Sequence, residues 1–258
     1  MLVKTARRKH HYWWWLLAIL LVGLLLRVVG VGSSASPANT NQPGPSSVTK
    51  PVNTKSASPS SASKPASTAA NVTPPADAAD ALKSLSTIPV TADGSLAGYS
   101  RNLFHLWADT DHNGCDARND VLRRDLINPV AKDGTHDCVI MSGTLVDPYS
   151  GLTVVFDKGQ ASQVPIDHVV PLALAWQHGA SLWDDATRTA FGNDLAELQT
   201  TTVTMNSSKG DKGPSQWLPP NQAYQCTYAV RFVEILVQWN LTVSSADKKA
   251  LNNVLTHC

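Results

Sequence analysis

Apolar residues fall into three regimes along this chain, and each predicts a different kind of structure. From Trp13 to Leu26 they run without interruption behind Lys4, Arg7, Arg8 and Lys9. An apolar run of about 14 residues with a basic flank has the length of a signal-peptide core and falls short of the ~20 that span a bilayer. Val28 to Val31 lengthens the stretch beyond Arg27, and a charge at a helix end can snorkel to the interface, so a retained anchor is the alternative. Ser33-Ser34-Ala35 supplies the small residues that a signal peptidase needs. Residues 1–32 are expected to be a signal peptide or membrane anchor that engages the membrane or the secretion machinery, and either places the remainder outside the cytoplasm. In the second regime, residues 33–81, Ser, Pro and Ala predominate and large apolar side chains are almost absent. Such a segment cannot bury enough surface to offset its ordering entropy, which predicts a disordered linker.

The third regime, residues 82–258, has the alternation of a folded domain and is long enough for one sizeable core. A first helical pattern, Ala76 to Ser86, already overlaps the end of the linker. Val121, Leu122 and Leu126 lie on one stripe of a helix from Arg118 to Leu126, stopped by Pro129. Val139 to Leu145 and Leu152 to Phe156 flank the turn-rich Asp147-Pro148-Tyr149-Ser150-Gly151 and predict a β-hairpin. A strand over Val164 to Val169 is followed by helical patterns at Leu172 to His178 and Asp184 to Phe191. The β-branched run within Leu198 to Met205 predicts another strand, ended by Asn206, which would cap a short helix. Two helices, Ala223 to Trp239 and Ser245 to His257, close the chain. The fold class is α+β.

Composition adds compartment and charge. Four cysteines, an even number in an exported chain, predict disulfides. Three pairings are possible, and proximity in sequence favours Cys115 with Cys138 and Cys226 with Cys258; the absence of any C-x-x-C spacing argues against a thiolate metal site. The overall charge of +1 hides a division: 8 of the 21 basic residues precede Leu82 but only 2 of the 20 acids do, which leaves 13 basic against 18 acidic residues, a net of −5. A domain that binds nucleic acid without catalysis is expected to be basic. An acidic one points to a compact metal site with local phosphate contacts.

Candidate chemistry concentrates in Val164-Pro165-Ile166-Asp167-His168-Val169-Val170-Pro171-Leu172 and, further on, Asn206-Ser207-Ser208-Lys209-Gly210-Asp211. Phosphodiester cleavage requires an activated water and charge neutralisation at phosphorus; a neutral histidine supplies the first and a divalent cation the second. Asp167 is a hard-oxygen ligand and His168 a natural base. Successive strand residues point to opposite sides, so a bend at the strand end, at Pro171, is expected to bring both to one site.

The order Asp167-His168, Gly192-Asn193-Asp194-Leu195, Asn206-x-x-Lys209 resembles the HNH endonuclease motif, in which two antiparallel strands and a helix grip one metal ion. With Asp109 to Arg118, Ile166 to Leu172 and Asn206 to Pro219 taken together, the chain resembles the secreted bacterial branch of HNH-family proteins over nearly all of residues 82–258. The resemblance implies an HNH-type ββα-metal core with added helices and a hairpin. It further implies His168 as general base, Asp167 and Asn206 as metal ligands and Asn193 as the residue orienting the histidine-bearing loop. Asn206 stands where the motif has its last histidine, which favours Mg²⁺ or Mn²⁺ over Zn²⁺. Lys209 is expected to contact a phosphate.

Asp109, Asp111, Asn113 and Gly114 match the opening of an EF-hand loop, and Asp120 holds its twelfth position. A turn locked by Cys115 is the simpler reading; any calcium here would be structural, with Arg118 holding one of the carboxylates. Trp176, Trp183 and Trp217 flank the motifs, where an aromatic face can stack a base, but most are expected in the core. The sequence thus predicts an exported metal-dependent endonuclease acting on DNA, with RNA as the second candidate substrate, with low sequence specificity and no evident obligate protein partner. A catalytically silent cell-surface binding module that retains the fold is the alternative.

Overall fold

The computed structural model describes residues 76–258, so the expected signal or anchor segment and the linker up to residue 75 lie outside the described residues. Helix α1, Ala76–Thr87, buries Ala78, Ala81 and Leu85 against α6, Gln222–Gln238, and α7, Ser245–Leu255. Those three residues follow the 3–4 spacing of one helix face. Residues 76–81 therefore belong to the folded domain, six positions earlier than the linker boundary drawn from composition. Small alanines pack closely enough to be core here, and a compositional reading counts them as linker. With Asp77 and Asp80 included, the domain carries 13 basic and 20 acidic residues, a net of −7.

Three antiparallel strands in the order β1-β2-β3 form the larger sheet: β1, Leu126–Ala131; β2, Ile140–Val146; β3, Thr153–Asp157. The expected hairpin is β2–β3, with Val146 opposite Thr153 and Leu145 opposite Val154. Strand β1 was not anticipated, because Pro129 reads as a helix stop; it sits on an edge strand beside a register shift between Ile127 and Val130, where a missing N–H is tolerated. Helix α2, Ala117–Asp125, precedes it and is capped by Asp116, whose carboxylate accepts from the Asn119 amide at 2.8 Å.

The second sheet has two short strands, β4, Ile166–His168, and β5, Leu198–Thr200, paired antiparallel with His168 opposite Leu198 and Asp167 opposite Gln199. Helices α3, Leu172–Gln177, and α4, Asp185–Gly192, are inserted between them, and α5, Val203–Lys209, follows directly. The strand expected to reach Met205 stops at Thr200. Thr202 caps α5 by accepting from the Met205 amide, and the side chains of Thr201 and Thr202 both donate to the buried Asp147. These hydroxyls hold the backbone in a turn that β propensity alone reads as strand. Asn206 consequently lies inside α5 and not at its cap.

Two cores meet at this small sheet. Ile166 and Leu198 belong to one, with Val121, Leu122, Leu145 and Phe156; Val169 and Val170 belong to the other, among α1, α3, α6 and α7. Among the described residues no helix is long and apolar enough to cross a membrane.

Both local disulfides are present, Cys115–Cys138 and Cys226–Cys258. The second ties the first turns of α6 to Cys258, three residues beyond the end of α7, across a sequence separation of 32. Closing a loop of that length stabilises by about 2–4 kcal/mol through the unfolded state. Replacing Cys226 and Cys258 by serine is expected to lower stability by that amount in denaturant titration, and an unchanged midpoint would show that the bridge is dispensable.

Candidate active site at the β4–β5–α5 junction

Strand alternation decides the site. Ile166 and His168 face one side of the small sheet and Asp167 the other. No bend at Pro171 brings the Asp167 and His168 side chains together; each meets different partners.

On the inner side, the Asp167 carboxylate accepts from the Tyr149 hydroxyl at 2.8 Å and from the Lys209 ammonium at 3.0 Å. Lys209 Nζ lies 3.0 Å from the second carboxylate oxygen as well and donates to the His168 carbonyl at 2.6 Å. Lys209 is fully buried and Asp167 nearly so. Burial pushes the Asp167 carboxyl above its usual range, opposed by the Lys209 charge and by both hydrogen bonds. Two expectations are corrected here. Lys209 is enclosed and committed to Asp167, so it cannot reach a phosphate. Asp167 has an ammonium on both oxygens, so it is not disposed to ligate a metal.

On the other side, His168 Nε2 lies 3.0 Å from the Gly192 carbonyl. A carbonyl can only accept, which assigns the ring proton to Nε2 and leaves Nδ1 as a free lone pair. Nδ1 is buried without a hydrogen-bond partner among the described residues. Burial lowers the His168 pKa to about 3, with the Gly192 hydrogen bond opposing and the charges of Arg101 and Lys209 contributing. The ring is therefore neutral and its basic nitrogen unspent. A buried polar atom left unpaired in this way carries a free-energy cost, and the same is true of Trp176 Nε1, Arg188 Nε, Thr200 Oγ1 and the Tyr228 hydroxyl among the described residues.

Several surrounding groups hold that geometry. Asn193 accepts from the Ala108 amide at 2.9 Å and donates to the carbonyls of Thr189, at 2.8 Å, and His105, at 3.1 Å. It thereby staples the 105–108 segment to the end of α4, next to the carbonyl that holds His168. Glu197 is fully buried, and both its carboxylate oxygens accept from the Val170 amide, at 3.0 and 3.2 Å, while its carbonyl accepts from Val169. This clasp fixes the backbone immediately after His168; burial drives the Glu197 carboxyl well above its usual range. Asp147 accepts from the Tyr149 amide and from Ser150, Thr201 and Thr202, joining the β2–β3 turn to the start of α5. Tyr149, Glu197 and Asp147 were not singled out from sequence. The only signal was Asp147-Pro148-Tyr149 itself, which reads as an ordinary turn.

Asn206, one turn before Lys209 on α5, is half-buried, and its side chain makes no hydrogen bond among the described residues. The i, i+3 spacing puts it on the helix face that Lys209 anchors to β4. Among the described residues no three His, Cys, Asp or Glu side chains gather as a metal site. That includes the EF-hand-like loop, where Asp109 accepts from the Asn113 and Gly114 amides and Asp111 from the Asn113 amide and side chain. The loop is closed by its own amides. Asp120 stands in α2, and Arg118 donates to the carbonyls of Ala161 and Val164 and not to these carboxylates. Trp176, Trp183 and Trp217 pack against Tyr99, Phe191 and Tyr149 respectively and serve the interior.

Residues 116–254 match the family of GmrSD restriction endonucleases, C-terminal domain. A protein of the fungus Arthroderma benhamiae, described as an uncharacterized secreted protein, is 42% identical over 190 residues, covering 72% of this chain and 89% of its own length. The relative is fungal, so the bacterial origin implied by the resemblance has no support in these matches. No solved structure matches the chain.

Removing the Lys209 ammonium strands the buried Asp167 carboxylate. Lys209→Met is expected to cost about 3–5 kcal/mol, which lowers the melting temperature of a domain this size by on the order of 10 °C. A shift below 2 °C in thermal unfolding would contradict the buried clamp.

Proposed function

The chain belongs to the family of GmrSD restriction endonuclease C-terminal domains, and on that premise we propose that it is an exported endonuclease hydrolysing phosphodiester bonds of DNA, with RNA as the second candidate substrate, and with low sequence specificity. The observation that carries this reading is the neutral, fixed imidazole of His168 with its unpaired Nδ1. The two antiparallel strands followed by α5 have the order of the ββα element that the HNH resemblance implies. Export accords with the two disulfides and with the relative described as secreted.

In this reading His168 Nδ1 takes the proton of the attacking water while Nε2–H remains on the Gly192 carbonyl, which stabilises the imidazolium as it forms. Burial opposes that charge in the free protein; an anionic phosphate seated beside the ring favours it. Water adds at phosphorus and the 3′-oxygen leaves. Lys209, Asp167 and Tyr149 hold the strand and helix in register. Glu197 and Asn193 fix the segments on either side of the ring.

The expected Mg²⁺ or Mn²⁺ has one suitable protein donor here, the Asn206 amide oxygen, since Asp167 is occupied by Lys209. Mg²⁺ is ordinarily held by one or two carboxylates together with waters and substrate phosphate oxygens, so the lone Asn206 amide would need the substrate phosphate to complete a site. When bound, such an ion supplies charge neutralisation at the phosphoryl group. That charge matters in a domain of net −7, which repels a polyanion at long range.

Incubation of the purified protein with supercoiled plasmid and Mg²⁺ or Mn²⁺ is expected to give nicked and linear DNA. His168→Gln retains an N–H for the Gly192 carbonyl and removes the basic nitrogen; it should slow cleavage about 10²–10⁴-fold with little change in melting temperature. Plasmid left intact by the wild-type protein would favour a silent binding module instead, whereas equal cutting by wild type and His168→Gln would remove His168 as the base. The depressed His168 pKa also fixes a pH profile. Because the base form persists down to about pH 3, kcat/KM should show no histidine acid limb between pH 5 and 8. A tenfold fall for each pH unit below about 6.5, the pattern of a solvated histidine, would contradict the burial described.

A further inference from the structure

The described domain has six arginines, and five of them are engaged: Arg118 with the carbonyls of Ala161 and Val164, Arg123 with Asp137, Arg124 with Asp125 and Leu198, Arg188 with Asp185, Arg231 with Gln199 and Ala196. Arg101 is the exception. Its side chain is exposed and makes no hydrogen bond or ion pair among the described residues. Among the six, a guanidinium left without any partner is conspicuous.

Its position is fixed by packing on both sides. Arg101 opens a short 3-10 turn, Arg101–Phe104, capped by Ser100. Tyr99 before it packs edge-on against Trp176, with centroids 5.9 Å apart, and Phe104 after it is fully buried against Phe191. The turn rests on Gly192, where an added Cβ would come within 2.7 Å of the Phe104 carbonyl oxygen. Only glycine permits this approach, and Gly192 is the residue whose carbonyl holds His168. Asn193 then ties down His105 and Ala108. The segment is thus bolted to the same short stretch of chain that orients the imidazole. The electrostatics agree with that placement, since the Arg101 charge acts on both His168 and Asp167.

We infer that Arg101 is a catalytic residue that binds the non-bridging oxygens of the scissile phosphodiester. The inference rests on the nuclease reading and supplies what that reading lacks, a protein cation able to touch the substrate now that Lys209 is enclosed. A guanidinium offers paired donors that match two phosphate oxygens, and it cannot lose its proton in the course of reaction. Charge accumulates on those oxygens during water attack, so the contact strengthens towards the transition state.

The test is steady-state cleavage of a labelled DNA duplex in Mg²⁺ by wild type, Arg101→Ala and Arg101→Lys, with melting temperatures measured alongside. Because the side chain has no partners, both variants should melt within about 2 °C of wild type. Loss of one such donor is worth about 10²–10³ in kcat. Arg101→Ala should show that loss with KM changed less than about threefold, and Arg101→Lys should recover part of it. A raised KM with unchanged kcat would move Arg101 to a flanking phosphate and overturn the assignment, as would no effect on either constant. If the wild-type protein leaves the duplex intact, the nuclease reading falls and the assignment falls with it; if wild type cuts and Arg101→Ala cuts equally, the assignment alone fails.

Discussion

The site is organised by one buried ammonium. Lys209, at the end of α5, reaches beneath β4 to the Asp167 carboxylate and the His168 carbonyl, so a single side chain fixes the helix against the strand at the residue that bears the imidazole. Desolvating the two charges costs several kcal/mol. The geometry offsets that cost with two charge contacts at 3.0 Å, one hydrogen bond to backbone and the Tyr149 hydroxyl on the far oxygen. Because the pair is enclosed, its effect is positional: it sets where His168 and Asn206 stand, and it takes no part in contacting substrate.

Alternation along a three-residue strand then divides labour between two faces. Asp167 turns inward to a polar network through Tyr149; His168 turns the other way, to the end of α4 and the 101–108 segment. The Asp167 carboxylate has both oxygens engaged by Lys209 and Tyr149, whereas the His168 ring on the other face has an unpaired Nδ1. This arrangement lets an acidic domain keep a neutral base and a local cation for a phosphate without the broad basic surface that non-catalytic nucleic-acid binding requires.

Much of the fold was legible in the sequence, because helix stripes, turn residues and cysteine spacing act locally. Both disulfides, the β2–β3 hairpin and the helices from α1 to α7 other than α5 follow from such signals. The failures were tertiary. Thr200 to Thr204 has strand propensity, yet Asp147, more than fifty residues earlier, claims the hydroxyls of Thr201 and Thr202 and turns the chain into α5. Ala78 and Ala81 look like linker until α6 packs on them. At the site, the motif residues were identifiable, but not their direction: nothing in Asp167-His168 says which side chain is interior, and nothing in Lys209-Gly210-Asp211 says that the lysine is buried. Arg101 lies more than sixty residues from the motif and gave no sequence signal. Its relation to His168 exists only through Gly192 and Asn193.

His168 is held as the neutral Nε2–H tautomer with a free Nδ1. Nitrogen-15 NMR of histidine-labelled protein reports tautomer and ionisation directly, with His168→Gln supplying the assignment. The His168 signal is expected to show a protonated Nε2 and an unprotonated Nδ1 at neutral pH, unchanged on acidification to pH 5. A ring that titrates near its ordinary value of about 6.5, or that carries its proton on Nδ1, would contradict it.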